Sequence, residues 1–157
     1  VAAAGLPTDA LELEVTEGSV MNDPDRAIDL LRRLDDAGVH IAVDDYGTGY
    51  SSLTYLRRLP IRQVKIDRSF VMGLGEPSPV GTVFAGDLPA LGDEVIVRST
   101  IDLGHNLGLK LVAEGVEGTD DLEFVRTQGC DFVQGYLIAL PMPMAGLRDW
   151  IAGRPRA

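Results

Sequence analysis

Ile41-Ala-Val-Asp-Asp-Tyr-Gly-Thr-Gly-Tyr-Ser-Ser-Leu53 runs from an apolar, β-branched stretch into two adjacent carboxylates, then through a glycine-rich turn toward a helix. This is the outline of one βα unit with its chemistry at the C-terminal end of the strand. Side chains alternate across a strand, so Asp44 and Asp45 would face opposite ways if the strand continued; at its end both can turn toward a common cation. Two carboxylates so close repel each other and rise in pKa unless positive charge sits between them. The glycines let the backbone pass close to whatever the cation binds.

Outward from this stretch the same unit recurs. Leu11 to Val15 reads as a strand, and Asn22-Asp-Pro-Asp25 opens a helix with an Asp cap and Pro in its first turn. Ala27, Ile28, Leu31 and Leu34 keep helical spacing until Gly38, and Val39 to Val43 forms the next strand. Ser51 to Arg58 is a short helix stopped by Pro60, and Gln63 to Ile66 is a strand carrying Lys65. A helix over Val95 to Leu107, a strand over Lys110 to Ala113, a helix over Thr119 to Thr127, a strand over Asp131 to Leu137 and a helix over Ala145 to Ala152 complete the series. Five strands alternating with helices predict a parallel α/β fold. Between Gly73 and Gly92 the alternation fails; five glycines and three prolines make that stretch a surface loop or insertion.

Each expected strand ends near a polar residue: Glu14, then Asp44 and Asp45, then Lys65 with Asp67, then Glu114 with Glu117, then Gln134. One such carboxylate alone would be an ordinary solvated side chain, but in a parallel fold the strand C-termini share one face, and five together outline a cation site. The donors are oxygen, and His40 and His105 fall elsewhere, which favours Mg²⁺, Mn²⁺ or Ca²⁺ over zinc. No serine, histidine and aspartate set is apparent, so a metal-activated water is the better nucleophile. Lys65 stands out because only it and Lys110 are lysine among fourteen basic residues, and a compact ammonium suits a site beside a metal or a phosphate oxygen. Lys110 reads as a surface residue.

Composition narrows the function further. The 157 residues are 45% hydrophobic and 24% charged, ordinary for one globular domain, and the net charge of −10 argues against binding DNA or RNA polymers. No run approaches the ~20 apolar residues of a membrane span. The single cysteine, Cys130, excludes an internal disulfide, reads as a small packed hydrophobe and suits a reducing cytoplasm. Gly47-Thr-Gly49 is not a dinucleotide fingerprint, because no glycine follows at position 52 and two acids precede it.

Leu11-Glu-Leu-Glu-Val-Thr-Glu17, Asp44 to Leu53, Val64-Lys-Ile-Asp-Arg-Ser-Phe-Val71, Val112-Ala-Glu-Gly-Val-Glu117, and Gln134-Gly-Tyr136 with Pro141-Met-Pro143 resemble, in order, the EAL-domain cyclic di-GMP phosphodiesterases of bacteria. The resemblance runs from about Leu6 to Trp150 and is interrupted by the loop near residues 75 to 92. It implies a TIM-like (β/α) barrel that opens one phosphodiester bond of cyclic di-GMP to give the linear dinucleotide, using two Mg²⁺ or Mn²⁺ ions, in a homodimeric signalling protein. By position, Glu14 would bind the first metal, Asp44 would bridge both, and Asp45 and Glu114 would hold the second. Lys65 would orient the attacking hydroxide and Gln134 would help position that site. Glu117 resembles the glutamate that steadies the loop after Asp45.

The glutamate of the Glu-Ala-Leu signature and an asparagine metal ligand belong upstream of the resembling region, and a start without methionine reads as a cut. Five units of about 31 residues compare with roughly 250 residues for a closed eight-strand barrel. The expectation is therefore a partial barrel: residues 1–157 as the C-terminal part of one such domain, with an insertion near 73–92, inactive alone but active within its parent. Two other readings explain part of the pattern. A non-catalytic receptor or interaction module of the same family fits a truncated site, and an unrelated enolase-like enzyme with Lys65 as base fits the strand-end acids but not all five motifs together.

Overall fold

The computed structural model describes residues 2–48, 53–74 and 92–153. Its centre is a five-stranded sheet in the order β1-β2-β3-β4-β5, with β1 Glu12–Thr16, β2 His40–Tyr46, β3 Gln63–Ile66, β4 Lys110–Ala113 and β5 Phe132–Val133. Every neighbouring pair is parallel. Sequential order without a reversal, joined through helices by right-handed crossovers, keeps the helices on one side and curls the sheet as in a barrel. The architecture is the five-strand α/β part of a TIM-like barrel.

Register sorts the side chains between the two faces. Val15, Val43, Val64 and Leu111 are linked by cross-strand pairing, as are Ile66 and Ala113, and these residues pack under the helices. The opposite face carries Glu12 and Glu14, Ala42, Gln63 and Lys65, and Val112. Period-two alternation thus separates core from chemistry within each strand. Helix α1 (Glu17–Asn22) is capped by Thr16, whose side chain accepts from Ser19 N. Helix α2 (Pro24–Asp36) is capped by Asp23 accepting from Arg26 N, starts with Pro24, and buries Ile28 and Leu31. Helix α3 covers Leu53–Leu56 and α4 covers Arg68–Val71. Helix α5 (Asp93–Asn106) buries Val97, Ile101 and Gly104. Gly104 is required by closeness: a Cβ there would lie 2.4 Å from Leu111 Cδ2. Helix α6 (Thr119–Thr127) buries Val125, and α7 (Met144–Ala152) buries none of its residues. No helix among the described residues is long and apolar enough to cross a membrane.

Several boundaries differ from the sequence expectation. The second strand continues through both aspartates to Tyr46 rather than ending at Val43. The last strand is only Phe132–Val133, so Gln134 lies beyond it. There the chain leaves the sheet because Gly135 packs directly on the backbone of Val116, where a Cβ would stand 2.2 Å from the carbonyl oxygen. Val116 N donates to Gln134 O at 3.1 Å and Leu137 N to Val116 O at 3.1 Å, replacing the ladder. The short helices α1 and α4 were not expected. Ser51 and most of the stretch between Gly73 and Gly92 lie outside the described residues.

At the N-terminal end of the sheet, Asp131 ties β5 to β4. Its carboxylate accepts from Lys110 Nζ at 2.6 Å and Leu111 N at 3.0 Å and lies 2.9 Å from His105 Nε2. Lys110 is thus a surface residue, as expected, and is also paired with Asp131 at the start of β4. Burial works against the charged form of Asp131, but these partners outweigh it and bring its pKa to about 2. The folded value lies below the unfolded one of 3.8, so the stabilisation is present above pH 3.8 and lost as pH falls toward 2. In the intact protein Asp131→Asn should lower Tm by about 3–8 °C at neutral pH, given the usual worth of charge-assisted hydrogen bonds. The gap from wild type, followed by circular dichroism, should narrow as pH falls from 4 to 2.

Candidate active site

At the C-terminal end of the sheet the decisive local feature is an extra residue in β2. Val43 pairs with Val64 but Tyr46 pairs with Ile66, so three steps along β2 match two along β3. Such a bulge breaks the alternation that would send Asp44 and Asp45 to opposite faces. Asp45 takes the turn at φ 55°, a left-handed conformation uncommon outside glycine and tolerated best by Asn and Asp. As a result one carboxylate oxygen each from Asp44, Asp45 and Glu114 comes within 4.8 Å of the others.

Lys65 lies beneath these acids, 4% exposed. Its Nζ stands 2.7 Å from Glu114 Oε1, 2.8 Å from Glu14 Oε1 and 3.1 Å from Asp44 Oδ1. Burial would strip its proton, but hydrogen bonding to Glu114, Glu14 and Asp44 prevails and drives the pKa above that of a free lysine. Burial raises the Glu114 carboxyl, against the pull of Lys65 and with the help of Asp44 and Glu14. Asp45 is raised by burial, then by the charges of Asp44 and Asp67, with Lys65 opposing. Asp67 is lowered: burial disfavours its charge, but the hydroxyl and N–H of Ser69 and the Arg68 charge dominate. The site therefore holds more negative charge than its single ammonium balances.

That excess fits a cation. Asp44 Oδ1 is buried with only the Lys65 ammonium, 3.1 Å away, beside it among the described residues. A buried carboxylate oxygen left this way, beside two further carboxylates within ligand distance and no nitrogen or sulfur donor, suits an oxygen-preferring divalent ion. The candidate group is Asp44, Asp45 and Glu114. Glu14 joins it through Lys65.

Around this centre Asp45, Asp67, Arg68, Glu114, Glu117, Gln134 and Tyr136 line an open cleft of about 280 Å³. Gln134 is exposed at its rim, just past β5. Gly115, at φ 69°, lets the loop after β4 lie on Arg68, whose Cβ would be 2.4 Å from an added methyl. Glu117 is exposed on the cleft wall, and the loop after Asp45 is described only as far as Thr48. A carboxylate that reaches the described start of that loop is Glu17. It is 3% exposed, its Oε2 accepts from Gly47 N at 3.0 Å, and its Oε1 is buried without a partner. Glu17, Arg68 and Tyr136 were not singled out from sequence. Glu17 follows the first strand directly, three residues past Glu14, and an acid just beyond a strand end was the signal available.

Over 149 residues the chain is 46% identical to the cyclic di-GMP phosphodiesterase NbdA of Pseudomonas aeruginosa, a match spanning 94% of this chain and 17% of NbdA. The chain thus spans about a sixth of the length of this curated relative. The MucR phosphodiesterase of Pseudomonas aeruginosa, solved in complex with c-di-GMP, superposes with a TM-score of 0.81 at 42% identity over 93% of this chain and 54% of its own. The EAL domain of Mycobacterium smegmatis DcpA superposes with a TM-score of 0.82 at 38% identity, over 99% and 64%. Residues 1–141 match the EAL domain profile, and the chain belongs to the EAL domain family.

Proposed function

We propose that this chain is the C-terminal part of an EAL-type barrel domain, residues 1–157 with an insertion near 73–92, in a cytoplasmic, homodimeric phosphodiesterase that hydrolyses cyclic di-GMP to the linear dinucleotide. The observation that carries this reading is the buried Lys65 ammonium held by Glu14, Asp44 and Glu114, with Asp45 beside them, at the strand C-termini of an EAL chain. Glu14, Asp44, Asp45 and Glu114 would hold two divalent ions, Mg²⁺ or Mn²⁺, which would supply Lewis acidity toward the phosphate and a water acidic enough to attack near neutral pH.

The chain's own residues set the conditions for that chemistry. Hydrogen bonding to Glu114, Glu14 and Asp44 favours the charged ammonium of Lys65, which would space the acids and favour the negative charge developing on the phosphate. Asp45 reaches the centre only through the left-handed turn after Asp44. Glu17 holds Gly47 N and so anchors the loop that follows. Gln134, at the cleft rim, is placed to hydrogen-bond a water or a phosphate oxygen.

The test is hydrolysis of cyclic di-GMP by the intact protein with Mn²⁺, following the linear product by chromatography. Turnover is expected; tight binding without turnover would instead favour the receptor reading. Asp44→Asn should lower kcat on the order of 10³-fold, because a bridging ligand is worth several kcal/mol in the transition state. Glu17→Ala frees the Gly47 amide and should weaken Mn²⁺ binding by about 10- to 100-fold in titration calorimetry, as for other supporting partners of ligand loops.

A further inference from the structure

Asp121 is the buried acid that the chemistry above does not use. It sits in the first turn of α6, 6% exposed, on the side of the site away from β2. One carboxylate oxygen accepts from Gly118 N at 2.9 Å, and the other accepts from Gly73 N at 3.1 Å. Gly118 closes the loop that starts at Glu114 and passes through Glu117. Gly73 closes the arm that starts at Lys65 and runs through Asp67, Arg68 and α4. These two arms form facing walls of the cleft. The hollow behind them, about 330 Å³, is bordered by residues 72–74 and 117–121, and Asp121 spans it.

The geometry points to Asp121 as a positioning residue that sets the distance between the Asp67 wall and the Glu114 wall, and through it the fit of the acidic centre for a divalent ion. This rests on the reading of Asp44, Asp45 and Glu114 as metal ligands. The β4 loop is also held by Val116, which exchanges hydrogen bonds with Gln134 and Leu137 on the β5 side, and by the seat of Gly115 on Arg68. Asp121 adds a hydrogen-bonded link to the residue that follows α4 and Met72. A neutral side chain of the same size cannot replace it, because two backbone donors need two acceptor oxygens and an amide offers one.

The experiment compares Asp121→Asn with Asp131→Asn in the intact protein. Asp131 is bonded at the opposite end of the sheet, so its variant loses stability without touching the cleft. Calorimetric titration with Mn²⁺ alone should give about a tenfold weaker Kd for Asp121→Asn and an unchanged Kd for Asp131→Asn. With cyclic di-GMP, kcat should fall for Asp121→Asn while KM stays within about twofold of wild type, since the group acts on the metal centre rather than on the dinucleotide. Wild-type Mn²⁺ affinity in Asp121→Asn, or an equal loss in Asp131→Asn, overturns the proposal. Should Asp121→Asn not fold, amide hydrogen exchange in the wild type decides: Mg²⁺ should slow the Gly73 and Gly118 amides together, and unchanged rates overturn it. Mn²⁺ binding without hydrolysis refutes the phosphodiesterase reading and leaves this one standing; no Mn²⁺ binding by wild type removes both.

Discussion

The site depends on one buried ammonium. Lys65 is enclosed at the C-terminal end of β3 with three carboxylates within 3.1 Å, and no cation but this one is buried among the described residues. Removing one partner of a buried charge cluster leaves the rest unpaired in a poorly solvated place, at a cost well above that of a surface ion pair. Lys65 therefore does two things at once: it makes burial of Glu114 and Asp44 tolerable during folding, and it leaves the outer side of those carboxylates for a second positive charge. The upward shifts at Asp45 and Glu114 express the part of the repulsion that Lys65 does not cancel.

How much of this was legible in the chain follows from which signals are local. Asp44, Asp45, Lys65 and Glu114 could be found because parallel strands must deliver their C-terminal residues to one face. The bulge could not, since an added residue has no composition of its own and shows only as a mismatch between two strands far apart in sequence. Val133 to Leu137 looked like strand because Val and Tyr favour it, while the contact that ends it, Gly135 on Val116, joins segments nineteen positions apart. Glu17 was missed for a similar reason. Its partner Gly47 is thirty residues away, and nothing near Glu17 marks it as buried.

The sheet also divides its duties along its length. Asp131 secures β4 to β5 at one end with Lys110, His105 and a backbone amide, while the other end is crowded with acids that repel. Stability and the candidate site therefore draw on different residues of the same strands, the pattern expected where local strain is held at a functional site. The left-handed Asp45 is where that strain is visible.

The bulge in β2 has a consequence for how such a site can change over generations. The convergence of Asp44 and Asp45 is a matter of counting, since it exists only because β2 is one residue longer than the stretch of β3 it faces. Substitutions can weaken either acid step by step, with each intermediate still folded. Loss of the codon for residue 44 or 45 would instead restore regular pairing, leave a single carboxylate opposite Lys65 and abolish the pair in one event. Length is held here as strictly as the identity of the two acids.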